Sequence, residues 1–420
     1  MTTADTVARA ARLTREKIAP RAAGYDREAR NPIESWRDLW EEGFLALAIP
    51  RTHGGLECDM PTYLAVIETI ARGCASTAMT LHMHCTVMRF IAALGTAEQQ
   101  RRYFAEVVEH AKMFGSWGSE PALSQSRTYL METALRARDG GFVIDGTKHF
   151  CTMTHGAAYY MVWCALDGDA DMNRSLHLAL VPADTPGIVT DGKWDTLGMR
   201  ATYSPTVKLE ACRVGRETIL GGGGDCMRVG AVEAFALGYA TIYVGIAQGA
   251  LDFLLDYCRT RVFKPSPEPL AHEPTMQRHV GELAIQLEAA RGVVDAAARR
   301  WQTADAPTRG VLASKAKYIT TEAGLAVTSK VIQLVGGRGA YRGYPVERAF
   351  RDLRTCTLMT PTADRMLETI GKSALGIDTG MFEMARPADA SAPAAPAAAA
   401  SRRPARAAPA RRRRPARQAP

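Results

Sequence analysis

The sequence predicts an α+β protein of several domains, in which a middle domain of β-strands separates two helical domains. Apolar residues recur with a helical period over residues 1–112 and form short runs separated by turns over 113–222. They return to long helical repeats over 223–386. At 420 residues with 47% hydrophobic and 23% charged residues, the chain can bury the core that this arrangement requires.

The last part of the chain, residues 387–420, differs in composition from the rest. It is rich in Ala, Pro and Arg and lacks apolar periodicity, so we expect it to be disordered. Residues 401–420 hold eight arginines and no acidic residue, and the net charge of +8 therefore belongs to this segment. A basic body suited to nucleic acid is absent, so nucleic acid is not an expected partner.

The apolar runs and the cysteines indicate a cytoplasmic location. No apolar run approaches the roughly 18 residues that cross a membrane, and the N-terminus lacks the apolar core of a secretory signal. The nine cysteines form no CxxC pair, which is typical of reduced thiols. We therefore expect no membrane span, no disulfide framework and no metal site.

Helix signals mark the N-terminal domain. Asn31 and Pro32 predict the start of a helix, as the N-cap and the first helical residue. Thr96 and Gln99 have the spacing of a capping box before a second helix that ends near His110. These signals predict a domain built from several short helices.

Buried strands are predicted in the middle domain at residues 161–166 and 177–181, and a half-buried strand at 207–211. The sequence Lys148-His-Phe150-Cys-Thr152 precedes them. Taken alone, it indicates a strand edge with an aromatic cross-strand pair.

The C-terminal domain is predicted to be a four-helix bundle with long helices over residues 227–261, 276–301 and 309–334. Gly336, Gly337 and Gly339 follow the third helix. Glycines here allow backbone N–H groups to approach a partner, although a GGxG motif alone also occurs at helix–turn–helix corners. Glu233 lies in the first long helix, where an isolated acid is usually solvated.

Together these segments resemble the acyl-CoA dehydrogenase superfamily over about residues 25–380. The resemblance rests on Gln-x-x-Gly-Gly-x-Gly at 333–339, Pro-x-Glu-Arg at 345–348 and Arg-Asp at 351–352. Ser-Glu-Pro at 119–121, Lys-x-Phe-x-Thr at 148–152 and Gly-x-Arg-Ala at 198–201 extend it into the middle domain. It implies three domains with FAD bound between them.

The resemblance also implies roles for particular residues. Phe150 corresponds to the aromatic residue on the isoalloxazine ring, and Thr152 to the threonine near flavin N5. Further FAD contacts, several of them to the FAD of a neighbouring subunit, are implied for Ser119, Arg261, Gln277, Gln333, Gly336, Gly337, Gly339 and Thr362. The chain is thus expected to form a homodimer or homotetramer.

The chain departs from the family at the catalytic base. Members of the family use a glutamate to remove the α-proton of an acyl thioester, and Thr360 stands at that position. Phe235 stands where one branch of the family has an alternative glutamate. Asp364 or Glu233 could supply the base, because a threonine is a poor one without activation. In the flavin loop, residues 122–126 also depart from the Gly-x-Gly-Ser-Asp of the family.

Three functions follow. The first is an acyl thioester dehydrogenase that passes electrons to electron-transfer flavoprotein or another acceptor, with the acyl group on CoA or a carrier protein. The second is a flavin monooxygenase or oxidase on the same fold, which needs no α-proton base. The third is a non-catalytic partner subunit. The sequence alone favours the first.

Overall fold

The computed structural model describes residues 2–121, 128–377 and 383–384. The predicted disordered segment 387–420 and the flavin-loop residues 122–126 lie outside this range, so those two expectations stay predictions.

Six helices form the N-terminal part of the protein. They are α1 (Thr3–Leu13), α2 (Ala19–Glu28), α3 (Ile33–Glu41), α4 (Met60–Gly73), α5 (Ala75–Leu94) and α6 (Ala97–Val108), with a π-helical turn Thr14–Ile18 between the first two. The predicted capping box is confirmed: the Gln99 backbone N–H donates to Thr96, and the Gln99 side chain accepts from the Thr96 N–H.

The predicted cap of α3 is wrong. Pro32 is the N-cap and makes no side-chain capping bond. The Asn31 side chain instead donates to the Thr154 backbone oxygen at 2.8 Å. Asn31 therefore ties the N-terminal helices to a loop of the middle domain, a tertiary contact that local spacing does not reveal.

The middle domain contains the strands β1 (Phe114–Trp117), β2 (Thr128–Tyr129), β3 (Ala134–Arg138), β4 (Gly141–Lys148), β5 (Tyr159–Leu166), β6 (Leu176–Pro182), β7 (Ile188–Thr190), β8 (Val207–Val214) and β9 (Ile219–Leu220), and the short helix α7 (Met172–Ser175). Eight of these strands form one sheet, with strand order β7-β8-β4-β3-β5-β6-β9 and with β1 beside β5. β1 and β3 run parallel to β5, and the remaining pairs are antiparallel. The strands predicted near 161–166, 177–181 and 207–211 are confirmed as β5, β6 and β8.

Long helices dominate the C-terminal part. They are α8 (Val232–Thr260), α9 (Pro274–Arg300), α10 (Ala306–Val335), α11 (Pro345–Cys356) and α12 (Ala363–Ala374), and a short strand β10 (Glu383–Met384) pairs with β2. Helix α8 is long and apolar enough to cross a membrane, but 83% of its most apolar window is buried inside the protein. Its hydropathy is that of a core helix, which packs against α4, α9, α10 and α11.

Helix α11 joins the three parts of the chain. The Arg351 guanidinium pairs with Asp26 of α2 at 2.7 Å and donates to the Leu197 oxygen of the middle domain at 3.0 Å. The next residue, Asp352, accepts the Met199 N–H at 2.6 Å and is 4% exposed. A Cβ at Gly198 would collide with the backbone of Arg351, so this contact requires glycine. The Arg-Asp and Gly-x-Arg motifs of the sequence therefore meet at one domain junction.

The Asp352 carboxyl should give the protein a pH-dependent stability. Burial raises its pKa to about 6, against the lowering effect of Arg348. Since the folded protein then holds this proton up to a higher pH than the unfolded chain, the free energy of unfolding should fall as pH rises from about 4 to about 6. The expected loss is on the order of 2 to 3 kcal/mol.

Urea unfolding at pH 4 and pH 6.5 measures this effect. Asp352→Asn, which retains an acceptor for the Met199 N–H, should remove that part of the pH dependence. Asp256→Asn, whose carboxylate on α8 is 77% exposed, is the matched control. An Asp352→Asn variant with the pH profile of the wild type would contradict the assignment.

Candidate active site

Two loops of the middle domain are held together by their backbones. The Cys151 N–H donates to the Pro205 oxygen at 3.1 Å, and the Met153 N–H donates to the Thr202 oxygen at 2.9 Å. Of the ten non-glycine residues with positive φ in the described chain, five lie in these loops: Phe150, Met153, His155, Met199 and Tyr203. Each such residue costs free energy, and this strain concentrates at ligand sites.

Phe150 and Thr152 lie on the first of these loops. Phe150 has φ 55° and remains 61% exposed, so a large aromatic ring is held at the surface in a strained conformation. Thr152 is buried, and its Oγ1 accepts a hydrogen bond from Ser204 at 3.1 Å. No described residue accepts the hydroxyl proton of Thr152. The loop therefore carries an exposed apolar ring and, two residues later, a hydroxyl whose proton no described residue accepts.

A buried ion pair fixes the start of this loop. Lys148 Nζ lies 2.7 Å from Glu120 Oε1, with the two side chains 0% and 2% exposed. The same carboxylate accepts the backbone N–H groups of Glu132 and Thr133 at 2.7 and 2.9 Å. Burial alone would raise the pKa of Glu120, but Lys148 and these donors hold it below its usual value. Burial lowers the pKa of Lys148, and the Glu120 carboxylate opposes that shift. The pair ties the segment after Ser119 to the end of β4.

Ser119 itself is exposed, and its side chain makes no contact that fixes it among the described residues. Its backbone oxygen accepts the His149 N–H at 2.8 Å. The backbone of Ser119 thus helps to place Phe150, whereas a side-chain role toward a cofactor stays a prediction.

Three predicted site residues lie in the turn between α11 and α12 and at the start of α12, all of them exposed: Thr360, Thr362 and Asp364. Thr362 is the N-cap of α12 but makes no side-chain capping bond. Asp364 lies in the first turn of α12 and is not buried by its own chain, so the burial expected of a general base is not observed there. Lys317 of α10 holds the backbone of this turn: its Nζ donates to the Met359 and Pro361 oxygens, both at 2.6 Å.

Glu233, in the first turn of α8, is 6% exposed, unlike most isolated helical acids. No described residue binds its buried Oε2 atom. Burial raises the pKa of this carboxyl, and Arg309 opposes the shift. Two residues later, Phe235 packs edge-on against His82, with ring centres 6.2 Å apart. Glu233 is thus the predicted catalytic residue with the most perturbed environment.

The residues predicted to reach a neighbouring subunit lie at the surface of the bundle. Gln277, Gln333, Gly336 and Gly337 are exposed, while Gly339 is buried against Ile332. The Arg261 Nε is buried without a described partner, and the guanidiniums of Arg261 and Arg338 lie 5.4 and 5.7 Å from the Phe263 ring. The exposed members of this set, Gln277, Gln333, Gly336 and Gly337, are therefore accessible to a partner molecule.

Sequence reasoning missed two groups that shape the site. Ser204 has no motif around it, and only the fold brings it to Thr152. Lys317 falls on the buried stripe of α10 with Ala313 and Thr320, at helical spacing. The signal available for Lys317 was therefore a lysine at helical spacing among the small, uncharged residues of one helix face.

Comparison with known proteins identifies the family of this chain. Its sequence matches the acyl-CoA dehydrogenase N-terminal domain over residues 3–111, the middle domain over 115–212 and the C-terminal domain over 230–375. It is 32% identical over 355 residues to a cyclohexane-1-carbonyl-CoA dehydrogenase of Geobacter metallireducens, covering 83% of this chain and 90% of that one. The chain belongs to the acyl-CoA dehydrogenase family.

Relatives within this family have different activities. A dibenzothiophene monooxygenase of Rhodococcus erythropolis is 29% identical over 402 residues, covering 87% of this chain and 92% of that enzyme. A dibenzothiophene monooxygenase of Paenibacillus sp. A11-2, solved with FMN and indole, has a TM-score of 0.78 at 27% identity over 89% of this chain and 97% of that one. Butyryl-CoA dehydrogenase of Megasphaera elsdenii, with a TM-score of 0.82 at 24% identity over 89% and 99%, shows the shared fold. Both dehydrogenases and monooxygenases are thus similar to this acyl-CoA dehydrogenase family member.

Proposed function

We propose that this family member is an FAD-dependent oxidoreductase whose reduced flavin reacts with molecular oxygen. The flavin would lie against the strained loops of the middle domain, with its ring on Phe150 and a hydrogen bond from the free Thr152 hydroxyl. The exposed aromatic ring and the unused donor fit a planar, polar-edged cofactor. The monooxygenase solved with FMN supports a flavin at this fold.

FAD is proposed over FMN because the chain retains surface groups suited to an adenosine diphosphate. The exposed glycines at 336 and 337 offer backbone N–H groups, and Arg261 has a buried Nε without a described partner. The exposure of both glycines at the surface of the bundle favours contact with the FAD of a second subunit. Release of the bound flavin by heat, followed by chromatography against FAD and FMN standards, tests this assignment.

The single observation that carries the oxygenase proposal is the turn at Thr360. A dehydrogenase needs a base within hydrogen-bond reach of the α-proton, and at the position that the resemblance assigns to that base this chain has the uncharged hydroxyl of Thr360. Bound flavin would supply two electrons, so that one oxygen atom enters the substrate and the other leaves as water. Those electrons would come from NAD(P)H through a separate flavin reductase. The monooxygenase relatives are consistent with this chemistry.

Acyl thioester dehydrogenation remains a second candidate because of Glu233. A buried carboxyl with a raised pKa and a free oxygen has the properties of a general base. In that case the reduced flavin would pass its electrons to electron-transfer flavoprotein or another acceptor. A protein that turns over neither kind of substrate would point to the partner-subunit hypothesis.

The proposed location is the cytoplasm. All nine cysteines lie among the described residues, and all nine are free thiols. Eight of them are buried, which protects them from oxidation without requiring a disulfide.

Flavin content should depend on assembly of at least a dimer, and Gly337 should be sensitive to substitution. A Cβ at Gly337 meets nothing of its own chain within 4 Å, so the fold of the subunit tolerates a side chain there. Gly337→Val should therefore keep the helical circular dichroism of the wild type but lower the flavin-to-protein ratio severalfold, because the side chain blocks an approaching partner.

The control is Gly24→Val on α2, where a Cβ likewise meets nothing within 4 Å. The ratio is measured by absorbance after size-exclusion chromatography. Full flavin occupancy in Gly337→Val, or in a monomeric fraction of the wild type, would contradict the shared site.

A further inference from the structure

Lys317 is a buried charge to which neither proposed reaction assigns a part. It lies in the middle of α10 with 0% of its surface exposed. Its Nζ donates to the Met359 and Pro361 oxygens, both at 2.6 Å, and lies 6.0 Å from the centre of the Tyr239 ring. A methionine would fill the same volume without the cost of burying an ammonium group, which amounts to several kcal/mol. The position therefore serves something other than packing.

The two acceptors of Lys317 show what it holds. Met359 and Pro361 flank Thr360, so one ammonium group binds the backbone on both sides of that residue. A separate contact holds the helix before the turn: the Tyr243 hydroxyl donates to the Cys356 oxygen. Removing Lys317 would free the turn, whereas removing the Tyr243 hydroxyl would loosen only the end of α11.

We propose that Lys317 is a positioning residue, which holds the turn of Thr360 and Thr362 in place against the bound flavin and holds it most firmly when its amine is protonated. The inference rests on the proposed flavin site but not on the choice between oxygenation and dehydrogenation. A charged donor makes stronger hydrogen bonds to carbonyl oxygens than a neutral amine does.

The ionisation of Lys317 makes the proposal measurable, since burial lowers its pKa to about 7. The ionisable groups that face it are Tyr239 and Tyr243 of α8 and Cys356 of α11, and burial raises the pKa of each further above neutrality. Helices α9 and α12 bury the apolar residues Leu287 and Met366. Arg338, which follows α10, lies over the Phe263 ring. Of these groups, Lys317 is the one that changes charge near pH 7. Asp352, one turn before Cys356 on α11, has its pKa raised by burial to about 6, so its own inflection would lie on the acid side of the one assigned to Lys317.

The experiment measures flavin binding and the visible circular dichroism of bound flavin from pH 5.5 to 8.5. It compares the wild type with Lys317→Met, Lys317→Arg and Tyr243→Phe. The wild type should show an inflection near pH 7, with tighter binding on the acid side. Lys317→Met should lack the inflection and bind flavin about tenfold more weakly at pH 6, since a charged hydrogen bond is lost.

Two variants separate positioning from a general structural role. Lys317→Arg keeps a charged donor at all these pH values, so its spectrum should be independent of pH, and it serves as the test if Lys317→Met fails to fold. Tyr243→Phe loses a buried hydrogen bond nearby and should keep the inflection. An inflection that persists in Lys317→Met or Lys317→Arg, or one that Tyr243→Phe abolishes as well, would overturn the proposal. A wild-type protein that binds no flavin would instead refute the proposed function, and this inference with it.

Discussion

Replacing Lys148 by methionine should destabilise the protein by about 3–5 kcal/mol, because it leaves the Glu120 carboxylate buried without its cation. Glu120→Gln should cost a similar amount, since the Lys148 ammonium would then be buried without a counter-charge, beside a neutral amide and the Met131 sulfur at 2.8 Å. The double variant Glu120→Gln/Lys148→Met removes both charges and should lose clearly less than the sum of the two single changes. Urea unfolding followed by tryptophan fluorescence gives the three values.

The matched control for the ion pair is Arg259→Met. Arg259 pairs with Asp256 at 3.1 Å, but the two side chains are 65% and 77% exposed. Removing an exposed pair should cost less than about 1 kcal/mol. If the losses of unfolding free energy in the two single variants add up to the loss in the double variant, Glu120 and Lys148 do not act as a pair. Because this pair fixes the segment before Phe150, the single variants should also hold less flavin.

Thr152→Val should lower the rate of flavin oxidation or reduction, per bound flavin, by about 10²-fold. The change preserves the shape of a buried side chain and removes the hydroxyl proton that no described residue accepts. If that proton is donated to the flavin, its loss affects the reacting cofactor more than the fold. Stopped-flow measurement of the flavin absorbance, normalised to flavin content, reports the effect.

Thr328→Val is the control for Thr152. Thr328 is fully buried in α10, and its hydroxyl donates to the Gly324 oxygen at 2.8 Å. The same change of side chain there should leave the rate per flavin within twofold of the wild type. Equal losses in the two variants would mean that the Thr152 hydroxyl acts only through stability.

The fold was predictable because its signals are local or lie in long motifs. The capping box at Thr96 and the buried strands β5 and β6 depend on neighbouring residues, and hydrophobic period is enough to find them. The Arg351–Asp352 motif was recognised by resemblance. Only the structure shows that these two residues join α11 to α2, through Asp26, and to the middle domain, through Met199.

The rest depended on contacts between distant parts of the chain. Asn31 resembles a helix cap in sequence, yet its amide bonds Thr154 across 123 positions. Lys148 and Lys317 are fully buried, although lysines usually lie at the surface, and the hydrogen-bond acceptors that offset the cost of their burial come from distant parts of the chain. Exposure of Asp364 and burial of Glu233 likewise follow from helix packing, which a single sequence does not specify.

Anaerobic titration of the FAD-loaded protein with a panel of acyl-CoA thioesters tests the central claim most directly. If the protein is an oxygenase, we expect the visible flavin absorbance to stay unchanged with every chain length, while dithionite bleaches it and admission of air restores it. Oxygen consumption with NAD(P)H and a flavin reductase should then depend on this protein and on an oxidisable substrate. Rapid bleaching by an acyl-CoA, lost in Glu233→Gln at unchanged flavin content, would contradict the oxygenase proposal and establish acyl thioester dehydrogenation.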